Sequence, residues 1–150
     1  MMLRNSYHPR IAICASLLLI TSGAITACSK FSLDTYWRSG NFVLIAVDTR
    51  GQMSLAIDDK TGMSSALVGP TIFSIGADDR YIVIKQHPSK DAFGGFDRSV
   101  TRYFVVDCAI SPSSENRRKA VRGPLDENEF RSLTVTQSLP PFTKTFDDLK

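Results

Sequence analysis

Short apolar runs separated by polar turns dominate the chain from residue 41 onward. The runs have the length and the β-branched and aromatic content of strands. They cover residues 42–47, 53–57, 63–68, 71–75, 81–85 and 100–107. Three connections, 48–52, 58–62 and 76–80, contain Asp and Gly, which are typical turn residues. Connections this short join antiparallel neighbours, because a parallel pair needs a longer crossover.

One helix is predicted near the C-terminus. Asp126 can accept the N–H groups of the first turn, while Glu129 reaches back to the amide of Asp126 as in a capping box. Phe130 and Leu133 then give the helix an apolar stripe to lay on a sheet. The run 134–136 (Thr-Val-Thr) has poor helix propensity, so we expect the helix to end near it.

These elements predict the fold class. The pattern indicates an α+β domain over residues 41–150, with an antiparallel sheet of about five strands in meander order and one helix near the C-terminal end. A last half-buried turn is predicted by apolar residues at helical spacing, namely Phe142, Phe146 and Leu149. The length of this part of the chain suits a single domain.

The N-terminus has the three-part layout of a secretory signal. Arg4 and Arg10 form a positive first region, and no charged residue occurs from 11 to 29. Small residues cluster over 21–27, as a cleavage site requires. This segment therefore predicts export from the cytoplasm.

The end of the signal resembles that of bacterial lipoproteins. The run Ile25-Thr26-Ala27-Cys28 has the aliphatic residue, the small residues and the cysteine in the order of that family. The resemblance implies a signal peptide over 1–27, a diacylglycerol on the Cys28 thiol, and acylation of the new amino group. Residues 28–40 are then interpreted as a lipidated tether that fixes the protein to the membrane.

The same segment indicates which membrane holds the protein, and it leaves two alternative interpretations of the signal open. Ser29, rather than Asp, follows the cysteine; by resemblance this implies the outer membrane, facing the periplasm, in a cell with two membranes. Two other interpretations remain: an ordinary signal cut near Ala27, or an uncleaved anchor, although a span needs ~20 apolar residues. Cys14 lacks small residues before it and is interpreted as an apolar filler.

The charge of the chain does not favour nucleic acid. Of the 18 basic residues, Arg4 and Arg10 lie in the signal, so 16 basic and 15 acidic residues would remain after cleavage, nearly balanced in charge. Nucleic-acid binders need a clustered basic face. The densest basic run is interpreted as a solvated loop, with a phosphate or lipid-headgroup patch as the alternative. It comprises Arg117, Arg118, Lys119 and Arg122.

Candidate catalytic and metal-binding residues are few. After the signal, His87 is the only histidine and Cys108 the only cysteine besides Cys28. One histidine and one free cysteine cannot build a typical zinc site, so we expect no metal and no cofactor. Ser89 and Asp91 lie near His87 in sequence, but nearness in sequence does not create the geometry of a triad. We therefore expect no enzyme activity, with a small hydrolase using His87 as the less favoured alternative.

The remaining hypothesis is a binding or interaction module on the cell envelope with a protein partner. The polar loop 87–99 is its candidate contact surface, because glycines allow unusual backbone conformations and aromatic residues often anchor interfaces. The candidate contact residues are Phe93, Gly94, Gly95 and Phe96. The alternatives are that these phenylalanines fold back onto the sheet, and that the protein is a structural or assembly subunit of an envelope complex.

The body also resembles small uncharacterised envelope proteins of bacteria. The resemblance lies in residues 75–88, in Gly123-Pro124-Leu125 and in Glu129-Phe130. It covers about a third of the chain and implies no activity.

Overall fold

The computed structural model describes residues 34–58, 65–90, 95–110 and 116–150, all within one unit, Phe31–Lys150. Nine strands and two helices form in this part of the chain. The strands are β1 Asp34–Ser39, β2 Phe42–Ala46, β3 Ser54–Ile57, β4 Ser65–Val68, β5 Ile72–Ala77, β6 Tyr81–Gln86, β7 Arg102–Asp107, β8 Val121–Leu125 and β9 Lys144–Thr145. The helices are the short α1 Arg117–Ala120 and the longer α2 Glu127–Gln137.

The strands form two antiparallel sheets. The first sheet has the order β1-β2-β3-β4, and the second has the order β8-β7-β6-β5-β9. The α+β class, the antiparallel pairing, the meander order and the C-terminal helix are therefore confirmed. The strands divide between two sheets, whereas the apolar pattern alone predicted one.

The division occurs at Gly69-Pro70, between β4 and β5. Thr71, directly after the proline, exchanges backbone hydrogen bonds with His87 at the end of β6, and the Ile72 N–H donates to the carbonyl of Met53. The Gln86 side-chain amide donates to the carbonyls of Gly69 and Pro70. The bonds to His87 and Gln86 direct β5 alongside β6 instead of β4, so a second sheet begins there.

The main core joins residues from both sheets. Its fully buried members include Leu44, Leu55, Ile75, Ile82 and Ile84. These side chains come from β2 and β3 of the first sheet and from β5 and β6 of the second sheet. The apolar faces of the two sheets therefore pack against each other.

The other face of the second sheet carries α2. Phe130 of the helix packs with Tyr81, Val83, Tyr103 and Val105 of β6 and β7. The predicted capping box is present: Asp126 accepts the N–H of Glu129 at 2.9 Å, and Glu129 accepts the N–H of Asp126 at 2.8 Å. The helix runs to Gln137, slightly beyond the predicted end at 134–136.

Three elements differ from the sequence interpretation. The range 28–40 was assigned to the tether, but its residues 34–39 form β1, where Tyr36 and Trp37 pack against the core. β8 is not among the predicted strands, and it includes Gly123-Pro124, a pair that is uncommon inside strands because proline has no N–H to donate. Residues 117–120 of the basic run form α1, although Lys119 and Arg122 are exposed as expected for solvated residues.

The C-terminal segment completes the second sheet. Instead of a helical turn alone, it forms β9 on the free side of β5, where Phe146 N–H donates to the carbonyl of Phe73. A turn then follows, and Phe146 and Leu149 are buried in the main core as their apolar character suggested. The segment before β9 crosses β5 so closely that a Cβ on Gly76 would lie 1.9 Å from the carbonyl oxygen of Pro141.

Candidate functional site

An open groove lies between α2 and the second sheet. It has a volume of about 280 Å³. Tyr103 of β7 and Phe130 of α2 lie along it, and Phe142 enters from the segment that crosses β5. Three parts of the chain that are distant in sequence therefore form one surface.

The floor of the groove is aromatic. The rings of Tyr103 and Phe130 are stacked, with centroids 4.8 Å apart and planes inclined by 21°. Phe142 lies 5.6 Å from Phe130 and 6.5 Å from Tyr103, in tilted arrangements. Such offset contacts are favoured by ring quadrupoles and hold the three side chains in fixed relative positions.

Lys85 supplies an unneutralised positive charge to the groove. Its Nζ lies 4.6 Å from the ring centroid of Phe142 and 5.6 Å from that of Tyr103, within the range of cation–π contacts. Within the described ranges no carboxylate forms a salt bridge with Lys85. At the rim, Arg131 is already paired with Glu127 at 3.0 Å. The free charge of the groove is therefore that of Lys85.

Tyr103 presents a hydroxyl that remains protonated at neutral pH. Burial raises the pKa of Tyr103, and the nearby Glu127 carboxylate raises it further, while Arg131 opposes them. A neutral phenol can donate a hydrogen bond. The groove thus combines one ammonium and one phenol donor with an apolar floor.

The α2 side of the groove carries an exposed aliphatic side chain. Val135 lies on the groove and is 79% exposed, against 46% for Val47 and 41% for Val100. Its position four residues after Arg131 places both on one side of the helix. Contiguous apolar surface, rather than a single exposed side chain, marks interaction sites, and Val135 belongs to the same groove lining as the three aromatic rings.

Sequence reasoning did not find this groove. Lys85 and Tyr103 face each other across β6 and β7, and Phe142 joins them only through the crossing segment. No local pattern reports such contacts. Two signals in the sequence were available. One is Lys85, the one residue of β6 that is only partly buried, and the other is Val135 on the exposed side of α2.

The candidate contact loop 87–99 is partly described. Phe93 and Gly94 lie outside the described residues, whereas Gly95 and Phe96 lie within them. Phe96 is half-buried and packs against the main core, with the Arg98 guanidinium 5.2 Å from its ring centroid. The Phe96 ring therefore folds back onto the domain.

His87 is buried in the same region. It is 2% exposed, its Nδ1 lies 2.8 Å from the carbonyl oxygen of Val100, and its ring is stacked 4.2 Å from that of Phe73. Nε2 has no hydrogen-bond partner in the described part of the chain. The nearby Ser89 hydroxyl donates to the carbonyl of Gly95. Asp91, the third residue of the sequence hypothesis, lies outside the described residues.

Cys108 follows β7 and is partly buried. Burial raises the pKa of its thiol from 9.0 to about 11, and the neighbouring carboxylates of Asp107 and Asp78 add to the effect. Since only the thiolate is a nucleophile, the thiol is poorly reactive at neutral pH.

Alkylation of the full chain tests this property of Cys108. At pH 8 we expect iodoacetamide to modify Cys108 roughly 100-fold more slowly than a cysteine of ordinary pKa, because the thiolate fraction falls tenfold per pKa unit. The rate should rise with pH until about 11. Mass spectrometry of the peptide that contains Cys108 gives the rate; modification at the ordinary rate at pH 8 would contradict the raised pKa.

A second, more polar pocket of about 200 Å³ lies elsewhere on the domain. Arg80, Lys119 and Arg122 line it, together with Asp107 and Gln137 from the end of α2. Two residues of the basic run thus join Arg80. The Asp107 carboxylate and the partial negative charge of the helix C-terminus offset part of this positive charge.

In the described ranges, no helix combines the length and the apolar character needed to cross a bilayer. No cluster of three or more His, Cys, Asp or Glu side chains suited to a metal ion occurs in the same residues. Cys28, the predicted lipidation site, lies outside them.

The fold and the groove define a small two-sheet α+β protein with an aromatic surface site. Residues 39–141 match the family described as "Protein of unknown function (DUF3997)", and since they make up more than half of the chain, the protein belongs to this family. The matched residues include every groove residue named above except Phe142. No curated protein and no solved structure is significantly similar to the chain.

Proposed function

We propose that this protein is a lipid-anchored envelope protein that acts as a non-catalytic binding module for a protein partner. The single observation that carries the binding function is the aromatic groove, whose lining includes the exposed Val135. The anchor rests on the lipoprotein-like signal that ends at Cys28, with the outer membrane facing the periplasm as the proposed site in a cell with two membranes.

The groove has the composition of a protein-binding surface. Interfaces are centred on buried aromatic anchors that fill pockets and are surrounded by a polar rim. Here Tyr103, Phe130 and Phe142 provide the aromatic floor, and the Glu127–Arg131 ion pair provides the polar rim. These features support the groove, rather than the loop 87–99, as the principal contact surface.

The environment of His87 weighs against the hydrolase alternative. A general base must reach the proton that it removes, either directly or through one water molecule. The His87 ring is almost fully buried and stacked on Phe73, and its Nδ1 is occupied by Val100. In this position the imidazole supports the packing of the domain.

Affinity purification tests the proposed function. We expect the tagged full chain, extracted from envelopes with detergent, to retain a specific protein that is lost from Val135→Asp, because a charge would have to be buried in the contact. Val47→Asp is the matched control, since Val47 is also exposed but directly follows β2 and does not line the groove. Equal recovery with Val135→Asp and the wild type would contradict the proposal.

The same purification separates a free-standing module from an assembly subunit. A free-standing binder keeps its partner in the Cys28→Ala form, since its contacts lie in the folded domain. A subunit of an envelope complex requires placement at the membrane and loses its partners in that form.

A further inference from the structure

We infer that the groove beside α2 recognises a peptide segment of the partner in which an apolar side chain lies next to an Asp or Glu carboxylate. This inference rests on the proposed function and adds the chemistry of the bound segment. Three features of the groove lead to it: its size, the exposure of Val135 and its charge.

The size of the groove favours side chains over a whole small molecule. Pockets for drug-sized ligands typically occupy ~300–1,000 Å³ and enclose most of the ligand. A volume of about 280 Å³ in an open groove lies just below that range. It suits one or two side chains of a segment whose remaining atoms stay outside.

The exposure of Val135 favours a protein segment over a free amphiphile. Val135 lines the groove beside the aromatic rings but is 79% exposed, so a small ligand held within the groove covers only part of this side chain. A segment that lies along α2 covers the floor and Val135 together, and burial of apolar area contributes roughly 25 cal/mol per Å². The apolar side chain of the segment is therefore assigned to the floor formed by Tyr103, Phe130 and Phe142.

The charge of the groove selects a carboxylate. The Lys85 ammonium lies over two aromatic rings and has no carboxylate partner among the residues described, while Arg131 is neutralised by Glu127. An ammonium forms charge-assisted hydrogen bonds with a carboxylate, and these are stronger than bonds between neutral groups. A basic segment would instead bring like charges together, and such contacts exclude wrong partners.

The test is a selection of phage-displayed random 12-residue peptides on the full chain in detergent micelles. We expect enriched peptides to share an apolar residue beside Asp or Glu. In synthetic versions with blocked ends, replacing the acidic residue by its amide should weaken binding roughly five- to tenfold, and raised salt should weaken the acidic peptide more than the amide.

Two lysine variants locate the effect on the protein. Lys85→Met keeps the aliphatic stem and removes the charge, so it should abolish the difference between the acidic peptide and its amide. Lys90→Met removes an exposed lysine that does not line the groove and should leave the difference unchanged. Thermal unfolding of both variants shows whether the fold is retained, and the amide peptide tests the carboxylate without altering the protein.

The outcomes separate this inference from the proposed function. Enriched peptides without an acidic residue would overturn the inference, and so would peptide binding that Lys85→Met leaves unchanged. In either case, an envelope partner that is lost from Val135→Asp would still support the binding module. Binding of decanoate at the groove with no peptide enriched would assign the site to an amphiphilic carboxylate and overturn the inference as well. Loss of both the peptides and the Val135-dependent partner would overturn both proposals.

Discussion

The Gly76→Ala variant is expected to be about 3 kcal/mol less stable than the wild type, at the upper end of the usual cost of overpacking. A Cβ at this position would lie 1.9 Å from the Pro141 carbonyl oxygen, 2.9 Å from its carbonyl carbon and 3.0 Å from the Cα of Phe142. All three are backbone atoms, so no side-chain rotation relieves the overlap. The segment that crosses β5 has to move.

This movement reaches both the core and the groove. Phe142 forms part of the aromatic floor, and Phe146, four residues later, is buried in the main core. We therefore expect Gly76→Ala to weaken partner binding in addition to lowering the melting temperature by roughly 10 °C. Thermal unfolding of the full chain, followed by the fluorescence of Trp37, measures the loss.

Gly69→Ala is the matched control for this prediction. Nothing lies within 4 Å of a Cβ at Gly69, so the added methyl group meets no neighbour. Its melting temperature should remain within a few degrees of the wild type, because the smaller conformational freedom of the unfolded chain gives at most a modest gain. Equal stability of the two alanine variants would contradict the close crossing over β5.

The Cys28→Ala variant is expected to lose lipid attachment completely. The thiol is the proposed acceptor, and no other group in the motif Ile25-Thr26-Ala27-Cys28 can form the thioether. Each buried methylene contributes about 0.8 kcal/mol, and two or more acyl chains are needed for stable anchoring. Loss of the acceptor therefore removes a permanent tether, not a weak contact. Growth of cells with radioactive palmitate measures the attachment.

Cys14→Ala and Cys108→Ala are the controls for the labelling experiment. Cys14 lies within the apolar part of the signal, which the proposed cleavage removes, and Cys108 lies after β7 in the folded domain. Both variants should incorporate palmitate as the wild type does. Label that persists on Cys28→Ala, or an unlabelled wild type, would exclude the proposed anchor.

Local signals in the sequence were sufficient to predict much of the fold. The runs that became β2, β3, β5, β6 and β7 are apolar and bounded by turns, and the side chain of Asp78 caps one such turn by accepting the N–H groups of Arg80 and Tyr81. The Asp126–Glu129 capping box fixed the start of α2. In each case the chemistry that forms the element lies within a few residues.

The elements that could not be predicted depend on distant contacts. β9 has two residues, and it exists because the Thr143 and Phe146 amides bond to β5, some 70 residues earlier. β8 contains Gly123-Pro124, which local rules assign to a loop, and it pairs with β7 in spite of them. The division into two sheets likewise depends on bonds between Thr71 and His87 that no hydrophobic pattern records.

The groove could not be predicted for the same reason. Its three aromatic rings come from β7, α2 and the crossing segment, and Lys85 comes from β6. The sequence pattern instead favoured the loop 87–99, because its glycines allow unusual backbone conformations and its phenylalanines are typical interface anchors. The part of that loop that is described has Phe96 packed against the core, which leaves the groove as the stronger candidate surface.

Photo-crosslinking in living cells tests the central claim most directly. Benzoylphenylalanine is placed at position 135, on the groove, or at position 47, directly after β2 and off the groove, in the otherwise unaltered full chain. We predict one discrete crosslinked protein from position 135 and none from position 47 after irradiation. The absence of an adduct at position 135, or the same adducts from both positions, would contradict a binding module that acts through the groove beside α2.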